Sequence, residues 1–147
     1  MIRTLIAVLS LASSISTQGS AVVLQYHHVD EGTPAITSIT PTDFAAHLQH
    51  LDDENFSILP LDQITDTLKS GLELPGTAIA ITFDDAYISI YTKAYPLLKS
   101  RNFPFTIFVT TNLVGSSKSY LDWQQLAEMA DNGALVANHT KSHLHLL

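Results

Sequence analysis

Thr-Ala-Ile-Ala-Ile-Thr-Phe-Asp-Asp, residues 77–85, is the most informative segment of the 147-residue sequence. Residues 77–83 form a nearly unbroken run of apolar and strand-forming side chains, and two adjacent carboxylates, Asp84 and Asp85, follow it. A continuous apolar run of this length is typical of a strand that is covered on both faces, as in a parallel sheet packed between helices. We therefore predict a buried strand that delivers two acidic side chains to one edge of a sheet.

The segments on either side of this strand alternate between strand and helix patterns. We predict strands over 21–26, 56–59, 105–110 and 134–137, and helices over 41–54, 61–70, 87–101 and 123–131. Thr40 or Thr42 is suited to cap the first helix, and Pro96 is expected to bend or divide the third. The order β-α-β-α-β-α-β-α-β predicts an α/β fold with about five parallel strands joined by right-handed crossovers.

The composition narrows the possible functions. Seven Lys and Arg against fourteen Asp and Glu give a formal net charge of -7, which argues against a protein that binds nucleic acid through a basic face. The absence of cysteine excludes disulfides, cysteine-ligated metals and a thiol nucleophile. A metal site would have to use carboxylates and the seven histidines.

The first 21 residues have the order of regions found in a secretory signal peptide. Arg3 precedes an apolar run over 5–12, and small and polar residues continue to Ala21. The alternative is a buried N-terminal helix. The run is too short to span a bilayer, and no later segment is long enough. We expect export to the periplasm or the exterior, with residues 22–147 as the mature domain.

Polar side chains collect where the predicted strands end. The first strand runs into His27-His28, the third into Asp84-Asp85, the fourth into Thr110-Thr111-Asn112, and the fifth into Asn138-His139-Thr140. The carboxyl ends of parallel strands meet at one edge, where α/β folds place their active sites. This convergence predicts a catalytic site.

Two of these groups have the residue types of a metal site. Neighbouring side chains of a strand point to opposite sides, so Asp84 and Asp85 can serve different roles. The alternative for Asp85 is that it caps the N-terminus of the helix predicted from residue 87. His139 and His143 would share one face of a helical turn, where both could bind one ion. The alternative is two unrelated histidines. His145 is poorly placed to bind the same ion.

Asp85, His139 and His143 together supply the two nitrogens and one carboxylate that often hold a catalytic divalent metal. Asp84 is then free to act as a general base toward water, which predicts hydrolysis of an amide or ester. A magnesium site for phosphoryl transfer is a weaker alternative, because magnesium prefers oxygen ligands and the chain has no glycine-rich phosphate loop.

The segment Thr82-Phe83-Asp84-Asp85, followed by His139-Thr140-x-x-His143, resembles two motifs of the polysaccharide deacetylases of carbohydrate esterase family four. Tyr26-His27-His28-Val29, residues 105–109 and the segment from Trp123 agree with this resemblance. It implies a partial (β/α) barrel, with about five strands present of seven to eight.

The resemblance assigns roles residue by residue. It implies Asp84 as the catalytic base, and Asp85, His139 and His143 as ligands of a divalent metal, usually zinc. The implied substrate is an N-acetylated or O-acetylated polysaccharide, and the Tyr26-His27-His28-Val29 segment is most similar to enzymes acting on β-1,6-linked N-acetylglucosamine polymers. One of His27 and His28 is expected to face the substrate pocket.

The sequence also departs from the family pattern. Ala86 replaces the usual glycine, which would be costly if the position requires a positive φ. The later motifs, which include an arginine that buttresses the base and a histidine that acts as general acid, are absent. We therefore expect a domain truncated at its C-terminus, and the alternative to an enzyme is a non-catalytic fragment or pseudoenzyme that binds glycan or metal.

Overall fold

The computed structural model describes residues 19–144. The predicted signal peptide, residues 1–21, lies almost wholly outside the described residues, as does His145. Among residues 19–144, no helix combines the length and the apolar character needed to cross a membrane.

Five parallel strands form the main sheet, as predicted. The strands of the chain are, in order, β1 (Ala21–Tyr26), β2 (His28–Val29), β3 (Ser38–Ile39), β4 (Ser57–Ile58), β5 (Ala78–Asp84), β6 (Thr106–Val109) and β7 (Leu135–Asn138). The main sheet has the order β1-β5-β6-β7, and β4 pairs with the first two residues of β5. Strands β2 and β3 make a separate two-stranded sheet that the sequence analysis did not predict.

Four α-helices connect the strands at the predicted places. They are α1 (Pro41–Asp53), α2 (Leu61–Lys69), α3 (Tyr95–Ser100) and α4 (Trp123–Asp131). The hydroxyl of Thr40, rather than that of Thr42, caps α1 by accepting a hydrogen bond from the backbone N–H of Asp43 at 3.0 Å. A capping box between Asp122 and Gln125 begins α4.

Pro96 divides the third predicted helix as expected, but through a π-helical segment rather than a simple kink. Residues Ile90–Ala94 form this segment, and the N–H of Tyr95 donates to the carbonyl of Ile90, five residues earlier. Proline has no N–H and its ring disturbs the preceding turn, so a wider turn placed just before Pro96 is a reasonable accommodation.

The two faces of β5 pack against different helices. Ile79, Ile81 and Phe83 point to one face and belong to the large core cluster, which also contains buried residues of α1, α3 and α4. Ala78 and Ala80 point to the other face and pack with Ile64 of α2. The same face continues through Thr82 to Asp84 at the end of the strand.

Strand β1 lies at one edge of the sheet and is only partly covered. Within the described residues it pairs with β5 alone, in a register that places Ala21 opposite Ala78 and Tyr26 opposite Phe83. Val22 and Val23 are 43% and 51% exposed. An open edge of this kind agrees with the expectation of an incomplete barrel.

Candidate active site

The carboxyl ends of the strands meet at one edge, and the polar residues predicted to follow them converge there. The chain places His27 just after β1, Asp84 and Asp85 at the end of β5, and His139 just after β7. The backbone holds these segments together, because the N–H of Asp85 donates to Phe108 O and the N–H of His139 donates to Val109 O, each at 3.0 Å.

Asp84 and Asp85 are both buried, with 6% of each residue exposed. Asp84 is the last residue of β5, whereas Asp85 has a φ of +69° and Ala86 a φ of +59°. Two consecutive left-handed residues end the strand abruptly and turn the chain back toward α3. Ala86 therefore does occupy a position with positive φ, and the conformational cost anticipated for replacing glycine there applies.

Asp85 does not act as the N-cap that the sequence left open. Its Oδ1 atom is buried and has no hydrogen-bond partner among the described residues. The N–H of Ile88, which such a cap would bind, donates instead to the carbonyl of Ser119 at 2.9 Å.

His139 and His143 converge as predicted, but not on a helical turn, and that part of the prediction is wrong. Thr140 and His143 have φ values of +66° and +55°. The carbonyls of residues 139–141 accept hydrogen bonds from the segment after β6: from the hydroxyl of Thr110 and the N–H groups of Thr111 and Asn112. These carbonyls are thus occupied by a neighbouring loop, which favours a tight irregular turn over a helix.

The three predicted ligands have the spacing of a metal site. Asp85 Oδ1 lies 3.5 Å from His139 Nε2 and 3.4 Å from His143 Nε2, and one donor atom from each residue lies within 4.8 Å of the others. Ligands held about 2.1 Å from one ion in a tetrahedron lie about 3.4 Å apart. The orphaned Oδ1 of Asp85 and the two imidazole nitrogens therefore fit a divalent cation between them, with room for further ligands on the exposed side of His143.

Asp84 stands beside this cluster with a separate set of neighbours. Gln25 Nε2 donates a hydrogen bond to Asp84 Oδ2 at 2.5 Å, and His27 Nε2 lies 3.8 Å from the same oxygen. Among the described residues, no lysine or arginine pairs with Asp84. The carboxylate is therefore compensated by one amide and one imidazole.

An aromatic stack borders Asp85 on its other side. The Tyr87 ring lies between His28 and Tyr120, with ring centroids 3.6 Å and 5.2 Å away. Burial, the charge of Asp85 and hydrogen bonding to that carboxylate raise the pKa of Tyr87 to about 12, so the phenol stays protonated near neutral pH. Burial, followed by the charge of His27, lowers the pKa of His28.

His27 and His28 both lie beside the two aspartates and Tyr87, and the expectation that one of them faces the substrate stays a prediction. His27 approaches Asp84 and His28 stacks on Tyr87, because the chain bends at His27 between β1 and β2. A groove of about 280 Å³ runs past both histidines and is closed on one side by residues 36–39.

The remaining histidines of the described chain lie away from this cluster. His47 and His50 are on α1; the Tyr26 hydroxyl lies 3.1 Å from His47 Nδ1, and His50 packs edge-on against Phe56. Sequence reasoning missed Gln25 and Tyr87 as neighbours of the two aspartates. The position of Tyr87 two residues after Asp85 was the one available signal, and Gln25 could be found only from the strand register.

Comparison with known proteins identifies the family to which these motifs belong. A family model described as Polysaccharide deacetylase matches residues 71–147. A Bacillus subtilis protein named as a polysaccharide deacetylase is 32% identical over 124 residues, which cover 84% of this chain and 43% of that protein. The poly-beta-1,6-N-acetyl-D-glucosamine N-deacetylase of Staphylococcus epidermidis is 28% identical over 148 residues, covering 88% of this chain and 51% of that enzyme.

Solved structures confirm the fold. IcaB from Ammonifex degensii superposes with a TM-score of 0.77 at 34% identity, over 84% of this chain and 55% of that one. The Streptococcus pyogenes deacetylase PplD, solved in complex with acetate, superposes with a TM-score of 0.78 at 28% identity, over 87% and 59%. The chain thus spans about half the length of the curated relatives it matches.

Proposed function

Because the chain belongs to the polysaccharide deacetylase family, we propose that it carries the metal ligands and the base of a hydrolase that removes acetyl groups from an N-acetylated or O-acetylated polysaccharide. The observation that supports this most directly is the approach of His139 Nε2 and His143 Nε2 to the orphaned Oδ1 of Asp85, with the buried Asp84 beside them.

Asp85, His139 and His143 would hold a divalent metal. Two imidazoles and one carboxylate are typical of a catalytic zinc site, and we propose zinc as the metal. Such an ion would act as a Lewis acid toward the acetyl carbonyl.

Asp84 acts as the general base. Its carboxylate takes a proton from the water whose oxygen bonds to the acetyl carbon. That proton passes to the amide nitrogen as the C–N bond breaks, so acetate and a free amine on the sugar are formed and Asp84 is again a carboxylate. Burial keeps bulk water from competing for the carboxylate.

We propose a β-1,6-linked N-acetylglucosamine polymer as the substrate. The relative from Staphylococcus epidermidis carries that substrate in its name. The groove beside His27 and His28 is the place for the sugar, because His27, which lines it, lies 3.8 Å from Asp84 Oδ2. Either histidine can donate a hydrogen bond to a hydroxyl or acetyl oxygen there.

We also propose that residues 1–21 are a signal peptide and that residues 22–147 form the exported domain, which acts in the periplasm or outside the cell. Mass spectrometry of the protein recovered after export would show the loss of the first 21 residues. An intact N-terminus on the exported protein would contradict this.

Two measurements on variants of the full chain, metal content and acetate release, test the metal site and the base separately. Metal analysis should find about one ion per chain, and His139→Ala and His143→Ala should lose it, whereas His50→Ala should not. Acetate release from a β-1,6-linked N-acetylglucosamine oligomer should fall by about 10²- to 10⁴-fold in Asp84→Asn with metal retained, leaving a measurable residual rate. It should be unchanged in Asp131→Asn, an exposed control.

Three outcomes would contradict parts of the proposal. A chain that binds no metal would remove the metal site, and full activity in Asp84→Asn would remove the base. Metal binding without acetate release by the unaltered chain would favour the alternative of a non-catalytic protein.

A further inference from the structure

Asp84 is a buried carboxylate whose nearest charged neighbour in sequence is a second carboxylate. Its side chain is 8% exposed, and Asp85 beside it is equally buried. A carboxylate in such a place is costly unless hydrogen-bond donors compensate it. Within residues 19–144, no lysine or arginine supplies that compensation.

The pairing register of β1 with β5 explains which side chain compensates the carboxylate of Asp84. Gln25 of β1 lies opposite Thr82 of β5. Side chains opposite each other on adjacent strands share a face, and Asp84, two residues beyond Thr82, lies on that face as the diagonal neighbour of Gln25. A glutamine side chain is long enough to span this diagonal, and its Nε2 atom donates to Asp84 Oδ2 at 2.5 Å.

The contacts distinguish the two oxygens of the carboxylate. Gln25 and His27 both approach Oδ2, at 2.5 Å and 3.8 Å. A hydrogen bond to an ionised acceptor is roughly twice as strong as a neutral one, so it restricts rotation of the carboxylate. Oδ1 is then the oxygen left to receive a proton.

We infer that Gln25 is a positioning residue for the reaction: its amide holds Asp84 in one orientation, with Oδ1 presented to the attacking water. This inference rests on the proposed function, in which Asp84 is the base. Gln25 does not itself touch the reacting atoms, and it acts through the carboxylate of Asp84.

Gln25 is exposed on the open face of β1, so it can be replaced without disturbing the core. In Gln25→Leu, kcat for acetate release should fall by about 10- to 100-fold, because a poorly placed base loses much of its advantage. Metal content and Tm should stay close to those of the unaltered chain. KM does not serve as a control here, because Gln25 also lines the groove proposed for the sugar. Gln49→Leu is the matched control, since it also breaks a hydrogen bond from a glutamine to an aspartate, Asp53, on the exposed surface of α1.

An Asp84→Ala background tests whether Gln25 acts through Asp84. There, Gln25→Leu should cause no further loss of activity, because the two residues act as a unit. A further loss of tenfold or more in that background would overturn the inference, as would an unchanged kcat in Gln25→Leu alone.

A measurement that needs no turnover separates this inference from the proposed function. In NMR spectra of the full chain, the Gln25 side-chain amide, identified by its loss in Gln25→Leu, should shift in Asp84→Ala while the Gln49 amide does not. An unmoved Gln25 amide would overturn the inference. Absence of acetate release by the unaltered chain, with the Gln25 amide shifted, would overturn the proposed function and support the contact.

Discussion

Tyr87 is the residue best placed to support the proposed metal ligand Asp85 without itself binding the metal. Its ring is stacked between His28 and Tyr120, and burial together with the charge of nearby Asp85 raises the pKa of its phenol. Partners that orient a metal ligand commonly contribute 10- to 100-fold to metal affinity. We therefore expect Tyr87→Phe to weaken binding of divalent metal by about tenfold and to leave Tm nearly unchanged, because the ring stack remains.

Competition with a chromogenic chelator would measure that affinity. Tyr91→Phe is the matched control, because its phenol donates a hydrogen bond to Glu128 on the surface, away from the site. Equal metal affinity in Tyr87→Phe and the unaltered chain would show that Asp85 needs no support from the phenol.

The sequence was sufficient to group the four proposed site residues, because each lies at the end of a predicted strand or in the turn after it. These residues are Asp84, Asp85, His139 and His143. The backbone conformations that bring these residues together could not be predicted from the sequence. Asp85 and His143 have positive φ values, which residues other than glycine seldom adopt and which no propensity indicates. The contact from Gln25 depends on the pairing register of two strands 50 or more residues apart, and that register is a property of the folded sheet.

Among the elements, α1 offers a direct test of how the sequence sets a boundary. Thr40 and Thr42 flank Pro41, and both were candidates for the N-cap. In the fold only Thr40 Oγ1 accepts from the N–H of Asp43, and Thr42 is an exposed residue of the first turn. Thr40→Ala should lower the free energy of unfolding by about 1 kcal/mol.

Urea denaturation of Thr40→Ala and Thr42→Ala would measure the difference. Thr42→Ala removes the same atoms two residues further along the chain and should shift stability by less than about 0.5 kcal/mol. A larger loss in Thr42→Ala than in Thr40→Ala would mean that the helix begins elsewhere.

Element existence was predicted better than element detail. The apolar run over 77–83 and the periodic helices are strong local signals, and all five main strands were found. Strands β2 and β3 contain two residues each and carry no periodicity, so nothing local indicated them. The sequence predicted that Pro96 bends or divides the third helix, but not that a π-helical segment precedes it.

On the scale of the whole molecule, the open edge of the sheet should govern association. Val23 is half exposed on the same face as Gln25, and β1 pairs with β5 alone in the described chain. An exposed apolar edge strand is a template for pairing with other chains. We expect the isolated chain to associate as its concentration rises, and Val23→Lys to reduce that association without lowering Tm.

Sedimentation velocity over a range of protein concentrations would show this. Leu68→Lys is the matched control, because Leu68 is 52% exposed on α2, away from the edge. An equal reduction in Leu68→Lys would indicate general hydrophobic association rather than pairing at β1.

The proposed metal site also joins parts of the molecule that are distant in sequence. Asp85 ends β5, and His139 and His143 belong to the turn after β7, so a bound ion would tie these two segments together. Zinc at about 100 times its Kd should stabilise the fold by about 2.7 kcal/mol, which raises Tm by roughly 10 °C in a domain of this size. Differential scanning fluorimetry should show this rise in the unaltered chain and in Asp84→Asn, but not in His143→Ala. A rise of the same size in His143→Ala would place the stabilising ion elsewhere, because that variant lacks one of the three ligands.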